Sequence, residues 1–306
     1  MKKAIFFLIT ALVTGFVGVW FVAQNQLTFK PESQKFQVVT SFYPLYFFAK
    51  EIGGDRVIVT NITPAGAEPH DYEPTTGDIV TMEKSDVLIL MGAGFELWGG
   101  KIRNNLKDKK TMIIAAADTL ATQEIEEEGR VARDPHVWLD PMLAKQIAQI
   151  LTQTLETIDP VSREYYRSNM ANLAKRFDAL DRDFRQGFSS CQQKNFVTSH
   201  TAFGYLASRY NLTQVPITGL SPDSEPSPKE LIELTKFAKN NNVTHIFFEE
   251  LVSPKLAQTI ASEIGAQTMV LHPIEGLTPQ REKAGKDYFL LQRENLDNLK
   301  IALACQ

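Results

Sequence analysis

The sequence predicts an α/β protein made of two αβ lobes of similar size joined by a spine helix. Three observations carry this reading. Short apolar runs alternate with helical patterns on both sides of the midpoint, as parallel βαβ units require. A polar stretch from about Val161 to Phe188 carries one apolar stripe, Tyr165, Met170, Leu173, Phe177, Leu180 and Phe184, mostly at spacings of three and four. It far exceeds the mean helix of about 11–12 residues, so it fits a connector between lobes. Four of the five histidines fall in loops at strand ends, where ligands bind in open α/β sheets.

Taken in order, Lys2 and Lys3 precede an uncharged apolar run from Ala4 to Ala23. The run lacks the polar face of a core helix and is long enough to span a bilayer. Residues 1–26 therefore read as an export signal or an uncleaved N-terminal anchor. Either places the body of the protein in the periplasm or at the outer face of the cytoplasmic membrane. Residues 27–35, with Pro31, read as a linker.

The first lobe is expected over 36–158. Strands are predicted at Phe36–Thr40, Val57–Ile62, Val87–Met91 and Thr111–Ala115. The third is apolar throughout, as a strand buried on both faces must be. Helices are predicted from Pro44 to Glu51, ended by Gly53 and Gly54, from Asp78 to Glu83, and from Met142 to Thr157. Residues 123–133 hold Glu124, Glu126, Glu127 and Glu128 and read as a solvated loop. The spine occupies 159–189 after Asp159 and Pro160, and the second lobe 190–306.

In that lobe, strands are expected at Phe196–Thr198, Gln214–Ile217, Thr244–Phe248 and Thr268–Leu271. Helices are expected at about Ala202–Tyr210, Pro254–Ile264 and Tyr288–Leu303. Another starts with Ser227 as N-cap, Pro228 at the first helical position and Glu230 at the third, and runs to about Asn240.

Composition narrows the function. A net charge of −4 with no basic block argues against nucleic-acid binding. Two cysteines exclude a four-thiolate zinc site and a disulfide-dense scaffold. In an exported protein Cys191 and Cys305 are expected to pair, which contributes up to about 4–5 kcal/mol in the chain-entropy account.

The histidines then become informative as a set. His70, His136, His200 and His272 lie in loops, whereas His245 sits within a strand and reads as structural. Two come from each lobe, so a metal bound by them lies in the cleft between lobes. Three imidazoles with one further oxygen or nitrogen donor suit tetrahedral Zn²⁺. Mg²⁺ and Ca²⁺ prefer oxygen, and Mn²⁺ favours a second carboxylate.

Three stretches are recognisable: Pro69-His70-Asp71-Tyr72-Glu73-Pro74-Thr75, Asp134-Pro135-His136-Val137-Trp138-Leu139-Asp140-Pro141 and Ser199-His200-Thr201-Ala202-Phe203-Gly204-Tyr205-Leu206. They resemble the metal-binding solute-binding proteins of ABC importers, in the zinc-uptake (ZnuA/TroA-type) branch. Ile217–Pro222, Glu225–Ser227, Phe248–Glu250 and Ser253–Lys255 are similar as well, so the resemblance covers about residues 36–303. It implies two lobes with four-stranded parallel sheets, one rigid connecting helix, and Zn²⁺ held between the lobes for delivery to a membrane permease. A monomer is expected.

By the same resemblance His70, His136 and His200 match the three histidine ligands. The fourth is Glu275 or His272 on one short loop, with Glu275 favoured because a carboxylate neutralises half of the buried dication. Pro273 restricts His272 to extended backbone, and Gly276 is expected to supply the bend that turns Glu275 inward. Glu68 is expected close by, as an outer or water-mediated partner. The branch commonly carries a long histidine- and acid-rich loop before Asp-Pro-His; here that segment is short, with glutamates and no histidine.

The rival reading is a zinc hydrolase with three histidines, an open position and Glu68 or Glu249 as general base. The absence of a His-Glu-x-x-His motif and the spread of ligands over two lobes argue against an enzyme. A surface adhesin, a role credited to some relatives, would keep the same zinc site.

Overall fold

A computed structural model describes residues 35–127 and 130–306, so the expected export signal or anchor over 1–26 and nearly all of the linker lie outside the described residues. The first sheet comprises β1 (Phe36–Thr40), β2 (Val57–Asn61), β3 (Val87–Leu90) and β4 (Met112–Ala115). All pairings are parallel and the order is β2-β1-β3-β4. The crossovers carry α1 (Tyr43–Gly53), α2 (Thr76–Lys84) and α3 (Gly99–Leu106). A hairpin of β5 (Glu124–Glu127) and β6 (Arg130–Arg133) leads to a turn at Val137–Leu139, then α4 (Pro141–Ile158) and the long α5 (Arg163–Gly187).

The second sheet repeats the plan with β7 (Asn195–Thr198), β8 (Thr213–Pro216), β9 (His245–Phe248) and β10 (Gln267–Val270). Its order is β10-β9-β7-β8, again all parallel. Counted from its own first strand, this is the second-first-third-fourth order of the first sheet. Helices α6 (Gly204–Arg209), α7 (Pro228–Asn240), α8 (Lys255–Ile264), α9 (Pro279–Lys283) and α10 (Tyr288–Ala302) complete the described chain.

Strand alternation distributes the core. Along β3, Val87 and Ile89 enter the main core, whereas Leu88 and Leu90 enter a separate cluster with Met82 of α2 and Ile102 and Leu106 of α3. In the second sheet Phe196 and Phe247 face the main core, while Val197 and Ile246 pack with Leu234, Ala257 and Ile260 on the outside. The main core is therefore common to both sheets, with α1, α4, α5 and α10 between them.

The stripe on α5 begins at Tyr166, not at the expected Tyr165. Tyr166 lies four residues before Met170, keeping the helical spacing, and its hydroxyl donates to Asp159 across 2.7 Å. Tyr165 is exposed, and its hydroxyl accepts from the Asp55 amide. The capping box at Ser227 and Glu230 forms as its sequence predicts.

The acidic segment expected to be a loop is instead the β5–β6 hairpin. Its pairing sets Glu124 opposite Arg133 and Ile125 opposite Ala132. Opposite charges across an antiparallel pair stabilise by roughly 0.2–1 kcal/mol. The partner strand lies a few residues further on, so the acidic run alone reads as solvated. Helices α3 and α9 were also not anticipated; the paired glycines at 99 and 100 and the brevity of 279–283 hide both.

Cys191 and Cys305 form a disulfide across a separation of 114 residues, tying the entry of β7 to the tail beyond α10. Closing so long a loop in the unfolded chain is the main source of its stabilisation. Replacing both residues by serine should lower the unfolding free energy by about 2–5 kcal/mol, read from the denaturant midpoint at unchanged slope. A midpoint equal to the parent's would refute that role.

Candidate metal centre

The three motif histidines and Glu275 converge. One ligand-type atom from each of His70, His136, His200 and Glu275 lies within 4.8 Å of the others. His136 and His200 are fully buried, Glu275 nearly so, and His70 closes the side nearest solvent.

Each donor is aimed by its own segment. His70 follows β2, and its amide donates to Glu68 Oε1 across 3.3 Å. The His70 ring packs edge-on against Phe95, centroids 4.7 Å apart. In the second motif Asp134 Oδ1 accepts from the His136 amide at 2.9 Å and sits 2.7 Å from its Nδ1. That pairing assigns the proton to Nδ1 and leaves the Nε2 lone pair facing the centre. Trp138 then buries its ring beside Phe42 and Phe95, and Asp140 caps α4 by accepting from Met142 and Leu143. His200 follows β7, with its Nδ1 2.6 Å from Glu249 Oε1 at the end of β9.

The distances among the inward atoms have one scale. Glu275 Oε1 lies 3.4 Å from His70 Nε2, 3.3 Å from His136 Nε2 and 3.4 Å from His200 Nε2. His136 Nε2 lies 3.3 Å from His70 Nε2 and 3.4 Å from His200 Nε2. These contacts are longer than the roughly 2.7–2.9 Å of charge-assisted hydrogen bonds. A tetrahedron with about 2.0–2.1 Å from centre to vertex, the Zn–N and Zn–O range, has edges of about 3.3–3.4 Å. Five of the six edges of such a tetrahedron are thus present among the four donor atoms, a group that could hold a metal ion. Among the described residues, Asp134 Oδ2, Glu249 Oε2 and Glu275 Oε2 are buried without a hydrogen-bond partner.

The buried acids and imidazoles shift one another. Burial raises the Glu275 carboxyl, but the histidines, His70 first, hold it well below its ordinary range. Burial lowers His136 and His200, and the carboxylates of Asp134 and Glu249, then Glu275, raise both. His70 has no such adjacent acid, and burial keeps it below its usual value despite Glu275. Burial and the Glu275 charge push Glu68 up to about 9.

His272, the other candidate for the fourth position, is not in this group. Its Nε2 accepts from Arg281 at 3.1 Å, and its ring lies near Glu250 and Glu294. Between the two candidates the backbone is left-handed at Ile274, with φ of 59°. Gly276 is not the bend that was expected; a Cβ there would meet Leu251 at 3.2 Å and the Ala67 carbonyl at 3.5 Å, so glycine serves close approach. His245 opens β9, with its Nδ1 2.9 Å from the Thr244 hydroxyl, outside the group. Asp134 was missed as a partner, although its place two residues before His136 was a readable signal. Glu249 had been considered only as a general base, yet it supports His200.

Comparisons with known proteins point the same way. The family described as "Zinc-uptake complex component A periplasmic" matches residues 38–302. The chain is 38% identical over 283 residues to the high-affinity zinc uptake system protein ZnuA of Bacillus subtilis, covering 89% of each chain. It is 35% identical to the zinc-binding protein AdcA of Streptococcus pyogenes, covering 98% of this chain but only 62% of that protein. Among solved structures, the Zn(II)-bound ZnuA-like domain of Streptococcus pneumoniae AdcA superposes with a TM-score of 0.77 at 37% identity, covering 88% of this chain and 99% of that one. With sequence identity, structural superposition and family match in agreement, the chain belongs to the periplasmic component A family of zinc-uptake complexes, the substrate-binding part of the transport machinery.

Proposed function

We propose that the protein captures Zn²⁺ outside the cytoplasm through His70, His136, His200 and Glu275 and hands it to the permease of an ABC importer. The observation that carries this is the set of five 3.3–3.4 Å separations among His70, His136, His200 and Glu275. Three neutral imidazoles and one carboxylate leave a net charge of +1 on the Zn²⁺ unit, and Asp134 and Glu249 compensate it from behind two of the rings. One carboxylate among the four donors favours Zn²⁺ over Mn²⁺. Residues 36–158 and 190–306 serve as the two lobes around 159–189, the soluble body acts as a monomer, and residues 1–26 direct export or hold the chain at the membrane. Among the described residues no helix is long and apolar enough to cross a membrane. With four protein donors filling a tetrahedron, no position remains for a metal-bound water, so the reading is transport and not hydrolysis.

Metal analysis of protein purified without added metal should find about one zinc per chain, with Mn²⁺ failing to displace it in competition. His70→Ala, His136→Ala and His200→Ala should each weaken Zn²⁺ binding by more than about 100-fold, whereas Asp134→Asn and Glu249→Gln should cost about 10–100-fold, the usual range for a partner behind a ligand. Parent-like affinity in all three histidine variants would sink the proposal. In cells limited for zinc, uptake lost on deletion of the gene should return with the parent and not with His136→Ala.

The fourth donor is tested by itself. Glu275→Ala should lose Zn²⁺ affinity steeply, and His272→Ala should lose much less. The reverse ranking, measured against a chromophoric chelator, would reassign the position to His272.

A further inference from the structure

The segment that presents Glu275 is bent against its preference. Ile274 is β-branched and buried, yet holds φ of 59°, a region that such residues seldom enter and that persists only where the surroundings over-determine it. Backbone contacts grip the segment from inside. Asn295 of α10 accepts from the His272 amide and donates to the His272 carbonyl, both across 2.7 Å. Trp138 donates its indole N–H to the Pro273 carbonyl at 2.7 Å, linking the His136 motif to the Glu275 loop. The Gly66 amide, ahead of His70, donates to the Leu277 carbonyl at 2.8 Å.

The outer grip is one guanidinium. Arg281, on α9, donates to both oxygens of Glu250 at 3.0 and 3.2 Å, to Glu294 Oε2 at 2.7 Å and to His272 Nε2 at 3.1 Å. Glu250 directly follows Glu249, which holds His200, and His272 lies three residues before Glu275. We propose that Arg281 is a positioning residue of the metal site: by joining Glu250, His272 and Glu294 it holds the bent 271–277 segment so that Glu275 faces the three histidines. This inference rests on the reading of Glu275 as the fourth donor. It also gives His272 a place, as the acceptor through which Arg281 grips the loop.

A planar fork with several donors is needed for this, and lysine cannot reproduce it. The ion pairs are partly open to solvent, and the segment keeps its contacts to Asn295, Trp138 and Gly66 without them. Their effect should therefore appear in the site and not in the fold.

The test compares Arg281→Ala, Arg281→Lys, Glu250→Gln, Glu275→Ala and the Glu275→Ala/Arg281→Ala double variant. Zn²⁺ affinity is read by chelator competition, and site geometry by the visible absorption of the Co²⁺-loaded protein. Arg281→Ala should weaken Zn²⁺ by about 10–100-fold and shift the Co²⁺ spectrum toward that of Glu275→Ala, with the apo thermal midpoint little changed. Arg281→Lys and Glu250→Gln should move the same way by less, and they carry the test if Arg281→Ala fails to fold. The double variant should bind no more weakly than Glu275→Ala alone. Multiplying losses in the double variant, or a parent-like Co²⁺ spectrum in Arg281→Ala, would overturn the role of Arg281 while leaving Glu275 a donor. Parent-like Zn²⁺ affinity in Glu275→Ala would instead remove the reading on which the inference stands.

Discussion

Three imidazole nitrogens and one carboxylate oxygen meet at one point, five of their six separations at 3.3–3.4 Å, and the loops of both sheets are arranged to bring them there. Four donors brought to one point from separate segments hold that geometry only if each is fixed from behind. Each therefore needs its own rigid support. The parallel sheets supply it, because crossover connections bring successive strand ends to the same edge, where short loops can converge. His70 and His200 follow strands of different sheets, His136 stands on a capped turn ahead of α4, and Glu275 follows the last strand.

The acids behind the histidines follow from the same demand. A buried imidazole must be oriented and its second nitrogen satisfied, or the desolvation is uncompensated. Asp134 does this within its own motif, two residues from the ring it holds, while Glu249 reaches across from a neighbouring strand. His70, nearest solvent, is steadied instead by Phe95. The site thus combines a local device, a sheet-borne device and an aromatic wall.

Much of this was legible in the residues, and the rest was hidden for identifiable reasons. The apolar run at 87–91, the α5 stripe and the Ser227 cap are local patterns, and local patterns survive folding. The three histidines stand out because their motifs are specific, and the structure brings them together. The β5–β6 hairpin was not found, because cross-strand charge pairing is invisible when each strand is read separately. The choice between Glu275 and His272 was left open because it depends on a left-handed isoleucine, a conformation that no propensity favours and only tertiary contacts impose. Glycine at 276 drew attention to the right loop for the wrong reason: it admits the neighbouring chain and does not bend.

The core shared by the two sheets has a mechanical consequence. Phe177 and Phe184 of α5, Phe48 of α1, Tyr288 of α10 and Trp138 belong to one apolar mass that touches both halves. Swinging the halves apart would bring several of these side chains into water, at about 1.5–3 kcal/mol for each large residue exposed. A clamshell motion is therefore a costly coordinate. The least costly movements are those of the loops above the strand ends, and the body beneath them is a stiff frame that fixes the spacing of the donors when the chain folds.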